Sequence, residues 1–428
     1  MGPSPTSETR LWVAPRPSRV LERNGRSRKV RAQARLSCLR RKSLASGGGW
    51  PYTPPFFLLA GGLMIQTPYY LIDADRLRQN MAVVDRLRQA SGAKALLALK
   101  CFATWPAFEH MRDHMDGTTS SSLYELRLGR EKFGKETHAY SVAWPDHEID
   151  EAVGYADKII FNSVGQLARF RNRTGGIARG LRLNPGLSTS GFDLADPARP
   201  FSRLGEWSAE KIEAVLPDIS GVMIHYNCEN ADVDLFDRQL SEIEGRFGAI
   251  LDRLDWVSLG GGIHFTGEGY PVDRLAARLK AFAAAHGVQV YLEPGEAAIT
   301  RSATLEVTVL DLLDNGKQLA IVDSSVEAHM LDLLIYRQSA KVEPDAGDHS
   351  YMVCGKSCLA GDIFGEFRFA QPLQVGDRLS IADAAGYTMV KKNWFNGVKM
   401  PSIVIREPDG SLRVAREFGY GDYASSLG

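Results

Sequence analysis

Between Lys94 and Leu292 short apolar runs alternate with longer amphipathic stretches, and this alternation limits the possible folds more than any other feature of the chain. Strands are expected at Lys94–Lys100, Gly117–Ser120, Thr137–Ala143, Lys158–Asn162, Arg179–Asn184, Ser220–His225, Trp256–Leu259 and Gln289–Leu292. Helical periods fall between them, as at Trp105–His114, Ser122–Phe133, Leu235–Leu251 and Asp273–His286. Eight strand-then-helix units in about 200 residues are the pattern of a (β/α)8 barrel, in which each parallel strand needs a helical return. An open doubly wound sheet is the alternative that the same pattern permits.

From about Leu305 the period changes to two. Short runs at Leu305–Leu310, Gln318–Val322, Ser350–Val353, Arg378–Ala382, Ser402–Arg406 and Leu412–Ala415 are separated by turns such as Asp314-Asn315-Gly316 and Pro408-Asp409-Gly410. Residues 64–304 are therefore expected as the barrel and 305–428 as an all-β domain.

Residues 1–63 fit neither. They carry twelve Lys and Arg against Glu8 and Glu22, are rich in Pro, Ser and Gly, and show no sustained period. Such a composition buries too little apolar surface to offset its ordering entropy. A disordered tail, a dispensable upstream extension and a transit-type targeting segment all fit it. A secretory signal fits badly, because Gly61 and Gly62 interrupt the apolar stretch Phe57–Leu63.

The remaining chain has a net charge of −10, which argues against nucleic acid and leaves room for cationic ligands. No run of 18 apolar residues is available to span a membrane, so no membrane partner is expected. Five cysteines, an odd number in a long chain, point to reduced thiols and a cytoplasmic setting.

In a βα barrel the active site gathers at the C-terminal ends of the strands. Those ends carry Lys100, Asn184, His225, the run Gly260-Gly261-Gly262, and Glu293. A lysine closing the run Ala95–Leu99 is either an amine nucleophile whose pKa burial lowers, or a side chain snorkelling from the strand mouth. Three glycines let a backbone approach a phosphate, or make a tight turn. His225 could stack on a planar ring or fill the core, and Glu293 could hold a protonated ring nitrogen or cap a helix. Cys354 and Cys358 lack the second pair that a zinc site requires, so no metal is expected and a catalytic or structural thiol remains.

The order of these elements decides between the alternatives. A strand-end Lys, a strand-end His, Gly-Gly-Gly, Glu293-Pro294-Gly295, a loop Cys and Ala385-Gly386-Tyr387-Thr388 resemble the pyridoxal-phosphate-dependent decarboxylases of the alanine-racemase fold (fold type III), the ornithine and diaminopimelate decarboxylase superfamily. The resemblance covers residues 64–428. Within it, Leu99-Lys100-Cys101-Phe102, Glu293-Pro294-Gly295-Glu296, the stretch Asp323–Met330, Cys358-Leu359-Ala360-Gly361-Asp362 and Asn393-Trp394-Phe395-Asn396-Gly397 are similar to a polyamine-forming branch.

The resemblance implies pyridoxal 5'-phosphate bound covalently to Lys100, stacked on His225, and anchored through its phosphate by Gly260, Gly261, Gly262 and the Tyr387 phenol. Glu293 would pair with the ring nitrogen and Arg182 would line the pocket. Cys358, supplied by the partner subunit of a homodimer, would reprotonate the α-carbon. Two positions depart from the wider superfamily: Glu296 stands where a phosphate-contacting arginine is common, and Leu359 stands where an acidic residue commonly follows the cysteine. Both fit a substrate with several ammonium groups, with Glu296 and Asp332 as its anchors and Asp362 and Asp323 as lesser candidates. The implied reaction is loss of carbon dioxide from a carboxylated triamine to give norspermidine or spermidine. A diaminopimelate or basic-amino-acid decarboxylase, or a non-catalytic relative of the same fold, is the alternative.

Overall fold

The computed structural model describes residues 65–428, so the expectation for residues 1–63 lies outside the described residues. The described chain opens with strand β1 (Tyr69–Asp73) and the helix Ala74–Ser91, which Asp73 caps by accepting the Arg76 N–H at 3.1 Å. Eight parallel strands then close on themselves: β2 (Lys94–Ala98), β3 (Gly117–Ser120), β4 (Glu136–Ser141), β5 (Lys158–Phe161), β6 (Ala178–Arg182), β7 (Gly221–Met223), β8 (Trp256–Ser258) and β9 (Gln289–Leu292). Pairing of β9 with β2 seals the barrel, which excludes the open sheet.

The helices pack outside it on faces read directly from sequence. In Val233–Leu251 the buried positions Val233, Phe236, Leu240, Ile243, Phe247 and Ile250 follow the helical period, and Asp232 caps the first turn. Two expected helices differ in kind. Trp105–His114 is a pair of short 3-10 turns, with Pro106 in the first. Ser122–Phe133 is α-helical only to Leu128 and continues as a π turn, where Gly129 packs so closely on β3 that a Cβ would lie 2.3 Å from Thr118 Oγ1.

One end of the barrel is plugged. Leu96, Ile160, Met223, Trp256 and Tyr291 fill the interior, and the Glu136 carboxylate accepts from Lys94 (2.8 Å), Tyr291 (2.9 Å) and Lys158. The C-terminal end is left for ligands.

Beyond residue 302 the chain builds a mixed sheet from β10 (Ala303–Asp314), β11 (Gln318–Val322), β12 (His349–Cys354), β13 (Ile363–Phe369), β14 (Arg378–Ile381), β15 (Ser402–Arg406) and β16 (Leu412–Arg416). Its order is β13-β12-β11-β10-β1-β15-β16, with β14 also on β10. Placing all of 64–304 in the barrel is thereby corrected: β1 pairs antiparallel with β10 and parallel with β15. The physical reason is its pattern, since Tyr70 and Ile72 are fully buried on one face while Tyr69 and Leu71 pack with Val404 on the other. A strand covered on both sides belongs at the centre of a sheet.

Candidate active site

Of the residues singled out at strand ends, Lys100, His225 and Glu293 line one pocket, whereas the Asn184 amide is taken by the carbonyls of Pro197 (2.8 Å) and Leu204 (2.7 Å). One pocket is lined by Lys100, Tyr140, Arg182, His225 and Glu293. Lys100 lies two residues beyond the end of β2, in a turn where the Cys101 N–H donates to Ala98 O at 3.0 Å. Solvent still reaches its side chain, yet crowding by barrel atoms is the main force lowering its pKa, followed by the charge of Arg182, with Glu293 acting in opposition. An amine of lowered pKa is a usable nucleophile at neutral pH.

Arg182 is buried at the end of β6, where its Nη1 donates to Tyr140 OH at 3.0 Å; that hydroxyl in turn donates to Asn162 Oδ1 at 2.7 Å. Glu293, one residue after β9, accepts from Ser258 Oγ at 2.6 Å. The same Ser258 oxygen accepts the Gly260 N–H at 3.2 Å, so one buried hydroxyl ties the carboxylate to the glycine turn.

The three glycines are sterically required. A Cβ on Gly261 would meet Glu293 O at 2.2 Å and one on Gly262 would meet Asn227 O at 2.2 Å, while Gly262 also holds φ at +85°. The three N–H groups are not equivalent. That of Gly260 is taken by Ser258, and that of Gly261 donates to His225 Nδ1 at 3.2 Å, so of the three only the Gly262 N–H has no acceptor among the described residues. Because His225 Nδ1 accepts, its ring is neutral, and burial followed by the charges of Lys100 and Arg182 holds its pKa well below the usual histidine value.

The sheet domain contributes Tyr387, at φ +49°, whose N–H donates to Cys101 O at 3.0 Å and whose hydroxyl makes no hydrogen bond among the described residues. Beside it Glu296 Oε2 accepts from Cys101 Sγ at 3.2 Å, and Gly386 packs so tightly that a Cβ would overlap that carboxylate. Burial raises the Glu296 pKa, and the negative charges of Asp383, Asp332 and Glu229 add to it. Asp332 is ion-paired with Lys391, whose ammonium lies 5.2 Å from the centre of the Tyr387 ring.

Asp323 and Asp362 are brace residues. Asp323 accepts from Thr67 Oγ1 (2.6 Å) and the Thr308 N–H (2.9 Å), and Asp362 from the N–H groups of Val326 (2.7 Å) and Ser357 (3.1 Å). Cys358 sits on an exposed loop between β12 and β13 and does not line the Lys100 pocket of its own chain. Cys101, Cys228 and Cys354 are also free thiols.

Among the described residues one group has metal-like donors, Glu109, His110 and Glu407. Arg413 already bridges both carboxylates there, at 2.5 and 2.7 Å.

Ser258, Tyr140 and Cys101 were not anticipated as site residues. Ser258 carried a signal, as the polar residue in the buried run Val257-Ser258-Leu259 just before the glycines; Tyr140 and Cys101 carried none that separates them from core residues.

An amine whose pKa burial lowers, a carboxylate held by Ser258, a neutral imidazole and a glycine turn that excludes side chains fit an aldehyde cofactor with a ring nitrogen and a phosphate. Residues 69–385 match the family described as "Pyridoxal-dependent decarboxylase, C-terminal sheet domain". The chain belongs to this family of pyridoxal-phosphate-dependent decarboxylases.

Among its relatives, a carboxynorspermidine/carboxyspermidine decarboxylase of Herminiimonas arsenicoxydans is 63% identical over 364 residues, 85% of this chain and 100% of that protein. A carboxyaminopropylagmatine decarboxylase of Synechocystis is 38% identical over 85% of this chain and 96% of its own length. The crystal structure of carboxynorspermidine decarboxylase from Campylobacter jejuni complexed with norspermidine superposes with a TM-score of 0.79 at 37% identity, covering 85% of this chain and all of that one.

Proposed function

We propose that this chain decarboxylates carboxynorspermidine to norspermidine and carboxyspermidine to spermidine, as a cytoplasmic homodimer with shared active sites. The observation that carries the reading is Glu296. Where relatives that act on short amino acids commonly place a cation, this chain sets a half-buried carboxyl group among further acids, Asp383, Asp332 and Glu229. Approach of a substrate ammonium favours the charged carboxylate, offsetting the cost of its burial. The 63% identity to a carboxynorspermidine/carboxyspermidine decarboxylase supports the same substrates. Among the described residues no helix is long and apolar enough to cross a membrane, and the free thiols suit a reducing compartment.

The residues divide the chemistry. Pyridoxal phosphate, when bound, supplies an electron sink for the pair released as carbon dioxide departs. Lys100 is the amine that would hold the cofactor. Glu293, oriented by Ser258, would pair with the ring nitrogen and favour its proton. Neutral His225 offers an uncharged face, and Arg182, fixed by Tyr140, borders the Lys100 pocket. Gly262 and Tyr387 retain free donors for the phosphate, while Gly260 and Gly261 shape the turn. Cys358 of one subunit delivers a proton to the substrate α-carbon in the other. Asp332, already paired with Lys391, anchors a substrate cation only by exchanging partners.

The test offers the purified, cofactor-loaded protein an equimolar mixture of carboxynorspermidine, carboxyspermidine, carboxyaminopropylagmatine, diaminopimelate and ornithine, with mass spectrometry following the loss of carbon dioxide. Consumption of either carboxylated triamine first is the expected result. Preference for diaminopimelate or ornithine would discard the reading of Glu296, and no reaction at all would favour a non-catalytic relative.

A further inference from the structure

The loop that carries Cys358 is held by a closed ring of hydrogen bonds, and one member of that ring has no other evident task. Three successive backbone N–H groups of the loop are each taken by a side chain: Ser357 by Asp362 Oδ2 (3.1 Å), Cys358 by Asn396 Oδ1 (2.6 Å) and Leu359 by Ser357 Oγ (3.3 Å). Asp362 reaches with its other oxygen to the N–H of Val326 (2.7 Å), which opens the helix Val326–His329. That helix gives the carbonyls of Glu327 and Ala328 to the side chain (3.0 Å) and backbone (2.9 Å) of Asn393. Asn393 Oδ1 then caps the Phe395 N–H (2.8 Å), forming the turn from which Asn396 reaches back to Cys358. Trp394 fixes the turn from outside, with its ring 5.6 Å from that of Tyr423 in the C-terminal helix.

Asn396 itself is left-handed, at φ +55°. Among side chains that can accept a hydrogen bond, Asn and Asp tolerate this conformation best. Glycine would satisfy the backbone more easily, so what Asn adds at this position is its amide oxygen. The thiol is exposed, so a loop free to move would spread it over many positions, and proton transfer needs the donor within hydrogen-bond reach of its target.

We propose that Asn396 is a positioning residue, which holds the Cys358 backbone so that the thiol of one subunit is presented in a single orientation to the reacting carbon in the other. This rests on the reading of Cys358 as the proton donor.

The experiment compares the cofactor-loaded full chain with Asn396→Gly, Asn396→Asp and Cys358→Ala. Asn396→Gly keeps the backbone conformation and removes only the acceptor, and a thermal melt checks that it folds. Loss of one hydrogen bond in a positioning role is expected to lower kcat about fivefold to tenfold with KM within about twofold. The solvent deuterium isotope effect on kcat should rise, as proton delivery becomes slower than the steps before it. Hydrogen exchange at the Cys358 amide, read by mass spectrometry without substrate, should accelerate. Asn396→Asp, which restores an acceptor, should recover most of all three.

Unchanged kcat in Asn396→Gly beside a strongly impaired Cys358→Ala would overturn the role of Asn396 and leave that of Cys358 standing. So would a fall in kcat with no change in amide exchange, or an Asp variant no better than Gly. Full activity in Cys358→Ala would instead remove the proton-donor reading on which the inference rests.

Discussion

Replacing Glu293 by Gln removes one negative charge and almost nothing else. The amide oxygen of Gln can still accept from Ser258 Oγ, now at 2.6 Å, and the backbone N–H still donates to Gly260 O, now at 2.8 Å. Thermal stability should therefore stay within about 0.5 kcal/mol. What disappears, on the proposed reading, is the charge that would favour a proton on the cofactor ring. An opposite charge in contact shifts a pKa by about 1–3 units, or roughly 1.4–4 kcal/mol, and if that preference is felt in the transition state kcat falls about 10- to 1000-fold. A second effect has the opposite sign in pH. Glu293 raises the pKa of Lys100 against burial and Arg182, so its removal lets that pKa fall further and the amine is free at lower pH. Attachment of cofactor, followed by absorbance, should then half-complete at a lower pH than in the native protein. Initial rates of carbon dioxide release at saturating substrate, with cofactor content measured on the same sample, separate chemistry from binding. A kcat within threefold of native at full cofactor occupancy would refute the ring-nitrogen role.

Ser258→Ala leaves Glu293 charged but untethered; loss of a hydrogen bond to a charged group is worth about 1.5–3 kcal/mol, so kcat should fall roughly tenfold or more, and an unchanged rate would show that the barrel alone orients the carboxylate. Glu296→Gln tests the pH sign at the substrate end. The folded-state carboxyl titrates above its ordinary value near 4.5, so its contribution to stability is present below about pH 4.5 and is lost as pH rises through the raised value. The Gln variant should therefore melt higher than native at pH 8 and at the same temperature below pH 4.5, while its KM for the triamine rises; equal melting at both pH values would sink the argument. Lys100→Ala and Cys358→Ala should each be inactive alone and should regain about a quarter of native turnover when mixed and reassociated, because half of the dimers then hold one intact site. No recovery in verified mixed dimers would place Cys358 and Lys100 in the same subunit.

The barrel was legible because a parallel strand buried on both faces leaves a short apolar run, and a return helix leaves its own period. Gln289–Leu292 and Gly117–Ser120 were bounded as they occur, although the second is polar. Strand ends then pointed to Lys100, His225 and Glu293, which line one pocket, and equally to Asn184, whose amide is engaged elsewhere. Residues whose importance is three-dimensional were fainter: Tyr140 and Cys101 gave no signal, and Ser258 stands out only as a polar residue in an apolar run, which does not say that its oxygen meets both Glu293 and Gly260. Strand β13 was overlooked because Ile363-Phe364-Gly365-Glu366 breaks its alternation at Gly365, held at φ +151° where β12 and β13 shift register. The acids near the site divide in the same way: Asp323, Asp332 and Glu296 look alike in sequence, and only packing makes the first a brace, the second half of an ion pair, and the third a half-buried carboxyl of raised pKa.

The position of β1 carries a consequence for folding. It precedes the barrel in the chain, yet it is the strand between β10 and β15, with Ile72 fully buried and the Tyr70 hydroxyl donating to His329 O at 2.7 Å. No single cut of the chain therefore separates barrel from sheet, and the sheet cannot complete its centre until the segment that enters the barrel is in place. The site straddles the same seam, since Tyr387 binds Cys101 O from the sheet side immediately beside Lys100. Ile72→Ala, which leaves a cavity at that seam, should cost about 2–5 kcal/mol. Because the two parts share β1, that loss should appear as one transition shifted to lower temperature, with far-ultraviolet circular dichroism and cofactor absorbance falling together. Two separated transitions, with the barrel and its cofactor surviving loss of the sheet, would show that β1 is an accessory strand and that the parts fold independently.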